Sequence, residues 1–477
     1  MPELFSSLAL GYALVLPFLY LSFSTGGGVV MDFILSSFIA VPVAAGFWLV
    51  TSAISPRINE TVLLPGLPIE AYLTFKHSVK VKYRNRRKIP MATLCQMYID
   101  GDVEMMGDTL DVLEMRHDWA SFRLTFHLIY YFLFHLIPKI VMDFYSHDDD
   151  EIHPALEKLD LGLMGCFLGP RMMYTSGIVR NIYEDKSLEG LEDNKLRVIC
   201  EKIRLNRQDS ILSIGYGWEA LADYIHGIFP YIPFTGFTHT GEYHNIPAIK
   251  GGYKKIVCMH LALHKGPGNF MALHVGPGEY AGFFRLLHGL LDDDGVLFLE
   301  VAGARKSWQY EDLIWRLLTA KYVCPDAVPY ASLGSLTDQL ENAGFQVKSV
   351  ENISAHHSAT VRKWYNNFVC NRKALEATYG SKIFRTFEFF LAYMTIIFRQ
   401  GSANSYQIVV TKNPNSVNRA KNCLKTSGGA FTRTIYADRE RLASYPKEEF
   451  DTTYDPAAAT RANSEAGGEG SSWDHYE

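Results

Sequence analysis

Residues 209–220 read Asp-Ser-Ile-Leu-Ser-Ile-Gly-Tyr-Gly-Trp-Glu-Ala, an apolar run that enters a glycine turn and then a helix. No other stretch restricts the fold as much. Gly215 and Gly217 are free to take the backbone angles of a tight turn and let main-chain amides approach a ligand, and the helix behind them offers its positive end. A Rossmann-like domain meets its nucleotide at such a turn. A plain β-to-α turn reads the same way, because Glu219 stands where a fuller pattern has its third glycine.

The neighbouring sequence supplies the rest of a sheet. Strand-like runs at 210–214, 255–261, 296–301 and 345–350 alternate with amphipathic helical stretches at 220–229, 280–291 and 335–343. Such alternation predicts an α/β sheet of largely parallel strands. The chain has 477 residues, 48% of them hydrophobic, enough for one large or two medium domains with a full core. A formal charge of −5 gives no basic field, which sets nucleic acid aside as a partner. The seven cysteines are scattered singly, without zinc-chelating pairs, and fit a reducing compartment. Beyond residue 412 the composition turns to small polar residues and predicts a disordered tail, 412–477. Ala262-Leu263-His264-Lys265-Gly266-Pro267-Gly268 is echoed ten residues on by Ala272-Leu273-His274-Val275-Gly276-Pro277-Gly278, a short tandem duplication.

The N-terminus is of another kind. Residues 8–24 carry no charge and residues 29–55 only Asp32, with Gly26-Gly27-Gly28 between the runs. Each is about long enough to cross ~30 Å of hydrocarbon as a helix, so residues 1–56 predict a two-span transmembrane hairpin. A signal peptide fits less well, since no basic residue precedes the first run. Arg57, Lys76, Lys80, Lys82, Arg84, Arg86, Arg87 and Lys88 follow the second run, and that bias places the main body in the cytosol. Residues 57–150 then form a membrane-proximal helical region. Within it, the aromatic stretch 124–144 reads either as an interfacial helix or as a buried helix of the soluble domain, with His127 and His135 as ordinary helix-face residues.

Several longer motifs occur in order: Met97-Tyr98-Ile99-Asp100-Gly101-Asp102-Val103, Arg116-His117-Asp118-Trp119-Ala120-Ser121-Phe122, and Phe167-Leu168-Gly169-Pro170-Arg171-Met172-Met173-Tyr174-Thr175-Ser176-Gly177. Then come Ala302-Gly303-Ala304-Arg305 leading to Trp308 and Trp315, Ser358-Ala359-Thr360 with Trp364-Tyr365, and Glu388-Phe389-Phe390-Leu391-Ala392-Tyr393. With these pieces the chain resembles fungal sphingolipid C(9)-methyltransferases, membrane-anchored relatives of the cyclopropane-fatty-acyl-phospholipid synthases, from the paired spans to about residue 412.

The resemblance implies a Rossmann-like methyltransferase sheet over residues 151–411, carried by the transmembrane hairpin in the endoplasmic reticulum. It implies S-adenosylmethionine as cofactor and, as acceptor, the C8–C9 double bond of the long-chain base of ceramide or glucosylceramide. An alkene is a poor nucleophile. Its methylation leaves a carbocation that aromatic faces or carboxylates must surround, and a base must remove a proton. In the wider family a bound bicarbonate serves as that base. Tyr174, Thr175, Ser176, Gly215, Gly217, Trp218 and Thr238 are the residues the resemblance places at the cofactor, and His357 and Glu300 are the candidate catalytic residues.

Several positions depart from the family pattern. Ser213 replaces the acid that ends the first strand, and Leu156, Glu157 and Lys158 replace a His-Tyr-Asp signature. Leu263 replaces the glutamate of the bicarbonate and cation site, and His357 a tyrosine. The link 239–253 is short where the family fits a helix and a strand, so the sheet is expected to have room for one strand fewer. Loss of one charge partner at such a site commonly costs on the order of 10²-fold in rate. Two readings follow: a membrane methyltransferase with a remodelled site, or a catalytically silent paralogue that binds lipid or partners an active relative.

Overall fold

The structure, a computed structural model, describes residues 64–76, 88–136, 161–180, 187–215, 220–237, 246–249, 252–262, 273–274, 280–305, 309–323 and 332–412, with single positions at 20, 38 and 138. Compactness divides the chain into Met1–Lys412 and Asn413–Glu477, and every described residue belongs to the first unit. The tail falls outside the described residues, as do the two apolar runs apart from Tyr20 and Phe38. Among the described residues no helix is long and apolar enough to cross a membrane.

In chain order the first elements are β1 (Leu73–Phe75), β2 (Ile89–Pro90), α1 (Met91–Asp100), β3 (Val103–Met105), α2 (Thr109–Glu114), α3 (Arg116–Trp119), β4 (Ala120–Ser121) and α4 (Phe126–Tyr131). β1 pairs antiparallel with β3, and β2 pairs parallel with β4. Local chemistry sets the boundaries. Gly101 stops α1 in a left-handed conformation, φ 81°, and its amide donates to the carbonyls of Met97 and Tyr98. Asp108 starts α2, its carboxylate accepting from the amides of Leu110 and Asp111. Only Leu128 of α4 is buried, and a π-helical turn, Phe132–Leu136, continues from it. The buried-helix reading of this stretch therefore fails here.

The remainder builds the sheet and its cover: α5 (Leu161–Gly165), α6 (Leu188–Ile203), β5 (Ile211–Ile214), α7 (Ala220–Ile228), β6 (Phe234–Phe237), β7 (Tyr253–Ala262), β8 (Leu273–His274), α8 (Tyr280–Leu290), β9 (Leu291–Ala304), α9 (Tyr310–Tyr322), α10 (Leu333–Asn342), β10 (Phe345–Asn352), α11 (Ser354–Cys370), α12 (Arg372–Tyr379), α13 (Ser381–Arg399) and β11 (Ala403–Lys412). The sheet order is β10-β11-β9-β7-β5-β6, with β8 beside β7 off this path. β9, β7, β5 and β6 run parallel. β11 lies between β9 and β10, antiparallel to both. The sheet is thus mixed, and the expectation of largely parallel strands holds only for its β9-to-β6 half. Along the continuous path there are six strands; residues 238–245, which follow β6, lie outside the described set.

Period-two alternation divides the core between the two faces of the sheet. Leu212, Ile256, Cys258, Leu297, Leu299 and Ile408 meet Phe283, Phe284 and Leu287 of α8 and Leu336 and Leu340 of α10. Ile211, Val257, Phe298 and Val409 meet Leu196, Ile199 and Ile203 of α6 and Leu221 and Ile225 of α7. A third cluster joins α1 and α2 to α9, α11 and α13 as a helical cap, where Trp315 lies flat on Tyr393 with ring centres 3.9 Å apart.

Candidate active site

α6 carries the feature that organises the site. Ser187 caps its start by accepting from the amide of Gly190, and Leu188, Leu191, Leu196, Ile199 and Ile203 give it an inward apolar stripe. Lys195 interrupts that stripe and is fully buried. Its ammonium donates to Glu300 Oε1 at 2.7 Å and to Thr175 Oγ1. Glu300 shares the α6 face of β9 with Phe298, and its Oε2 accepts from Gln407 Nε2 at 3.0 Å on the neighbouring β11. Gln407 Oε1 accepts in turn from Lys202, which also pairs with Glu351 near the surface. Burial pushes the Lys195 ammonium below its ordinary range, and the Glu300 carboxylate opposes that push.

A second group of contacts fixes the segment after α5 against α11. The amide of Gly177 donates to Thr360 Oγ1 at 2.9 Å, and the amide of Val179 to His356 Nδ1 at 3.2 Å. A Cβ at Gly177 would stand 2.6 Å from Leu191 Cβ, so glycine permits the close approach of this segment to α6. Tyr174 stacks on Trp364 with centres 5.2 Å apart and planes 10° from parallel. Trp364 stands edge-on to His357, and His357 stacks on Phe398 at 3.9 Å. His357 Nδ1 shares a 2.7 Å hydrogen bond with Ser405 Oγ on β11.

The structure brings several of the sequence-derived site residues together. Thr175 and Glu300 share the Lys195 ammonium. His357 and Glu300 reach β11 through Ser405 and Gln407, two residues apart on one face and so roughly 7 Å along the strand. Ser176 is buried and its hydroxyl donates to the carbonyl of Gly177. Gly215 follows β5 at φ 70°, a conformation that favours glycine, and its amide donates to the carbonyl of Phe237 on β6. Gly217, Trp218, Glu219 and Thr238 lie outside the described residues, as do Leu156, Glu157, Lys158 and Leu263.

Lys195, Gln407 and Glu192 escaped the sequence reading. A lysine in the apolar stripe of an amphipathic helix was the available signal for the first. Among the described residues, the buried side-chain atoms without a hydrogen-bond partner are both oxygens of Glu192, Ser213 Oγ and Trp364 Nε1. Burial raises the Glu192 carboxyl to about 7, with Arg171 and Lys195 pulling the other way. A Cβ on Gly169 would come within 3.2 Å of both its oxygens. Ser213 is the residue found where an acid was expected, and it shares the α6 face of the sheet with Glu300 and Gln407.

Chemically, the arrangement sets a wall of aromatic rings beside a buried ion pair through the adjacent residues Tyr174 and Thr175. Ring faces and a fixed carboxylate stabilise positive charge in a dry site.

A family model described as mycolic acid cyclopropane synthetase matches residues 269–408. Sphingolipid C9-methyltransferase 2 of Gibberella zeae is 43% identical over 425 residues, covering 84% of this chain and 80% of the relative. Sphingolipid C9-methyltransferase A of Emericella nidulans is 40% identical over 428 residues, with the same coverage. A crystal structure of a mycolic acid cyclopropane synthase complexed with SAH and CTAB superposes on 54% of this chain and 95% of its own at 18% identity, TM-score 0.45.

Proposed function

This chain belongs to the sphingolipid C9-methyltransferase family, and from that membership we propose that it is an S-adenosylmethionine-dependent C-methyltransferase acting on the C8–C9 double bond of a sphingoid base in ceramide or glucosylceramide. The observation that carries this reading is the meeting, at Tyr174 and Thr175, of the Trp364–His357 aromatic wall with the buried Lys195–Glu300 pair. Gly215 fits close backbone approach by the donor, which Tyr174, Thr175 and Ser176 border in this proposal and Gly217, Trp218 and Thr238 complete. When bound, the donor supplies an electrophilic methyl group. The rings of Tyr174 and Trp364 offset positive charge on the acceptor carbon, and Glu300, linked to Thr175 through Lys195, is the fixed negative charge of the site. His357, held at Nδ1 by Ser405, takes the proton that restores the double bond, alone or through a bicarbonate ion beside it.

A silent paralogue that pairs with an active enzyme draws no support from the described residues. A buried ion pair is costly to maintain in a core, and Lys195 with Glu300 is more readily understood as part of a working site. We place the protein in the endoplasmic reticulum membrane through the runs 8–24 and 29–55, with the sheet on the cytosolic side.

Expression in a fungus deprived of its own carbon-9 enzyme tests the activity. Mass spectrometry of the ceramide bases is expected to show the methyl-branched base return. Unbranched bases in cells that contain the full-length protein refute the proposal.

A further inference from the structure

Exposed large apolar side chains are scattered over the described surface except in one place. Phe126 (85% exposed), Ile129 (37%), Tyr130 (48%), Phe132 (36%) and Phe134 (63%) fall within nine consecutive residues of α4 and the π-helical turn that continues it. Their outward orientation is fixed from behind. Leu128 is buried, Tyr131 Oη donates to the carbonyl of Ala320 at 2.9 Å, and His127 Nδ1 lies 2.8 Å from the Lys321 ammonium, so α4 is held on α9 by its inner side. Beneath it, between α4, α1 and α9, lies a cavity of about 300 Å³ bordered by Gln96, Thr125, Leu128, Leu318, Lys321 and Tyr322.

We propose that this aromatic ridge lies in the headgroup boundary of a lipid bilayer, and that the recess behind it receives part of a lipid from that surface. The charge pattern selects a membrane over a protein partner. No carboxylate occurs in the sequence between Asp118 and Asp143, and the charges within that interval are Arg123, before the ridge residues in sequence, and Lys139, after them. Exposed aromatic rings, one of them the phenol Tyr130, with basic residues flanking them in sequence and no acid between, suit an interface whose outer layer carries phosphate. The recess offers an apolar lining for a hydrocarbon stem and the Lys321 ammonium for a polar head. The inference rests on the proposed sphingolipid activity only in assigning a purpose: the ridge holds the protein against the layer in which its acceptor resides.

The test uses the full chain reconstituted in phosphatidylcholine–phosphatidylserine vesicles. An environment-sensitive nitrobenzoxadiazole probe on Phe134→Cys, corrected with parent protein labelled in parallel, is expected to be quenched by lipids bearing a nitroxide on the upper acyl chain. In the Phe126→Asp, Phe134→Asp double variant, methylation of ceramide embedded in vesicles is expected to fall by about tenfold, with methylation of the same ceramide in detergent micelles held within about twofold. Absence of quenching overturns the proposal. So does an equal loss in both media, or a shift from dimer to monomer without quenching, which would make the ridge an interface between copies. Should the parent methylate ceramide in neither medium, the activity reading fails while the quenching measurement still decides this one.

Discussion

The helical cap and the seam between α6 and the sheet are both buried and both contain charge, yet they satisfy it differently. In the cap every buried side-chain oxygen among the described residues has a hydrogen-bond partner, and Trp364 Nε1 is the one orphan. Tyr98 Oη and Thr109 Oγ1 donate to the two oxygens of Glu388 at 2.6 and 3.1 Å. Tyr365 donates to Asp108, and Arg116 and Trp315 both donate to Glu311. At the seam, Lys195 alone among the described residues answers Glu300 with charge, while both oxygens of Glu192, within reach of the Lys195 charge, and Ser213 Oγ on the same face of the sheet have no hydrogen-bond partner. A closed network rigidifies a fold, whereas unanswered polar atoms in a dry place mark where a ligand, a proton or water completes the structure. The cap is built to hold a shape and the seam to receive something.

Three substitutions at the seam test that contrast in order of expected effect, the first of them beside a counterpart in the cap. Lys195→Met leaves the Glu300 carboxylate buried without its cation and is expected to cost about 3–5 kcal/mol in urea unfolding. Glu388→Gln, its counterpart in the cap, retains hydrogen-bonding atoms for Tyr98 and Thr109 and is expected to cost about 1 kcal/mol. Equal losses would erase the distinction between the regions. Gly177→Ala forces a methyl to 2.6 Å from Leu191 Cβ and 3.1 Å from its backbone, so segment 174–179 must move off α6. A loss of about 3 kcal/mol is expected, the upper end for overpacking, together with weakened binding of S-adenosylhomocysteine by calorimetry. An alanine variant as stable as the parent would show that the seam is looser than its geometry.

Glu192→Gln should have the smallest effect of the seam substitutions, and its size depends on pH. The folded carboxyl titrates near 7 against 4.5 ordinarily, so the folded state binds more protons than the unfolded between those values. Its contribution to stability is whole below about 4.5 and is lost as pH rises through about 7. The glutamine variant does not undergo this fall and is expected to be about 1–2 kcal/mol more stable than the parent at pH 8, with little difference at pH 4. Lower stability than the parent at pH 8 would reveal a partner for the carboxylate and remove Glu192 from the unanswered set.

How much could be read from the sequence follows the range of the interactions involved. The runs 210–214, 255–261, 296–301 and 345–350 announce their strands because alternation and glycine turns are local signals. β11 gives no such notice. Asn404, Ser405 and Gln407 make Ala403–Lys412 look too polar for an interior strand, and they are buried only because Asn352, His357 and Glu300 answer them across the sheet and from α11. The Lys195–Glu300 pair spans 105 positions, a separation that no window of sequence contains. The motif Phe167 to Gly177 and the motif Ser358 to Trp364 were legible separately. Their junction through Gly177, Thr360, Tyr174 and Trp364 belongs to tertiary structure.

The position of β11 bears on how the protein is made. The last strand of the described chain is an inner one, wedged between β9 and β10, so a ribosome must deliver residues 403–412 before the sheet can close. Until then two long strands face the cell with their backbone hydrogen-bonding groups bare, an invitation to unwanted pairing. Translation arrest or proteolysis short of residue 403 therefore yields a sticky half-sheet, since Gln407 and Ser405 bring the final partners of Glu300 and His357 with them.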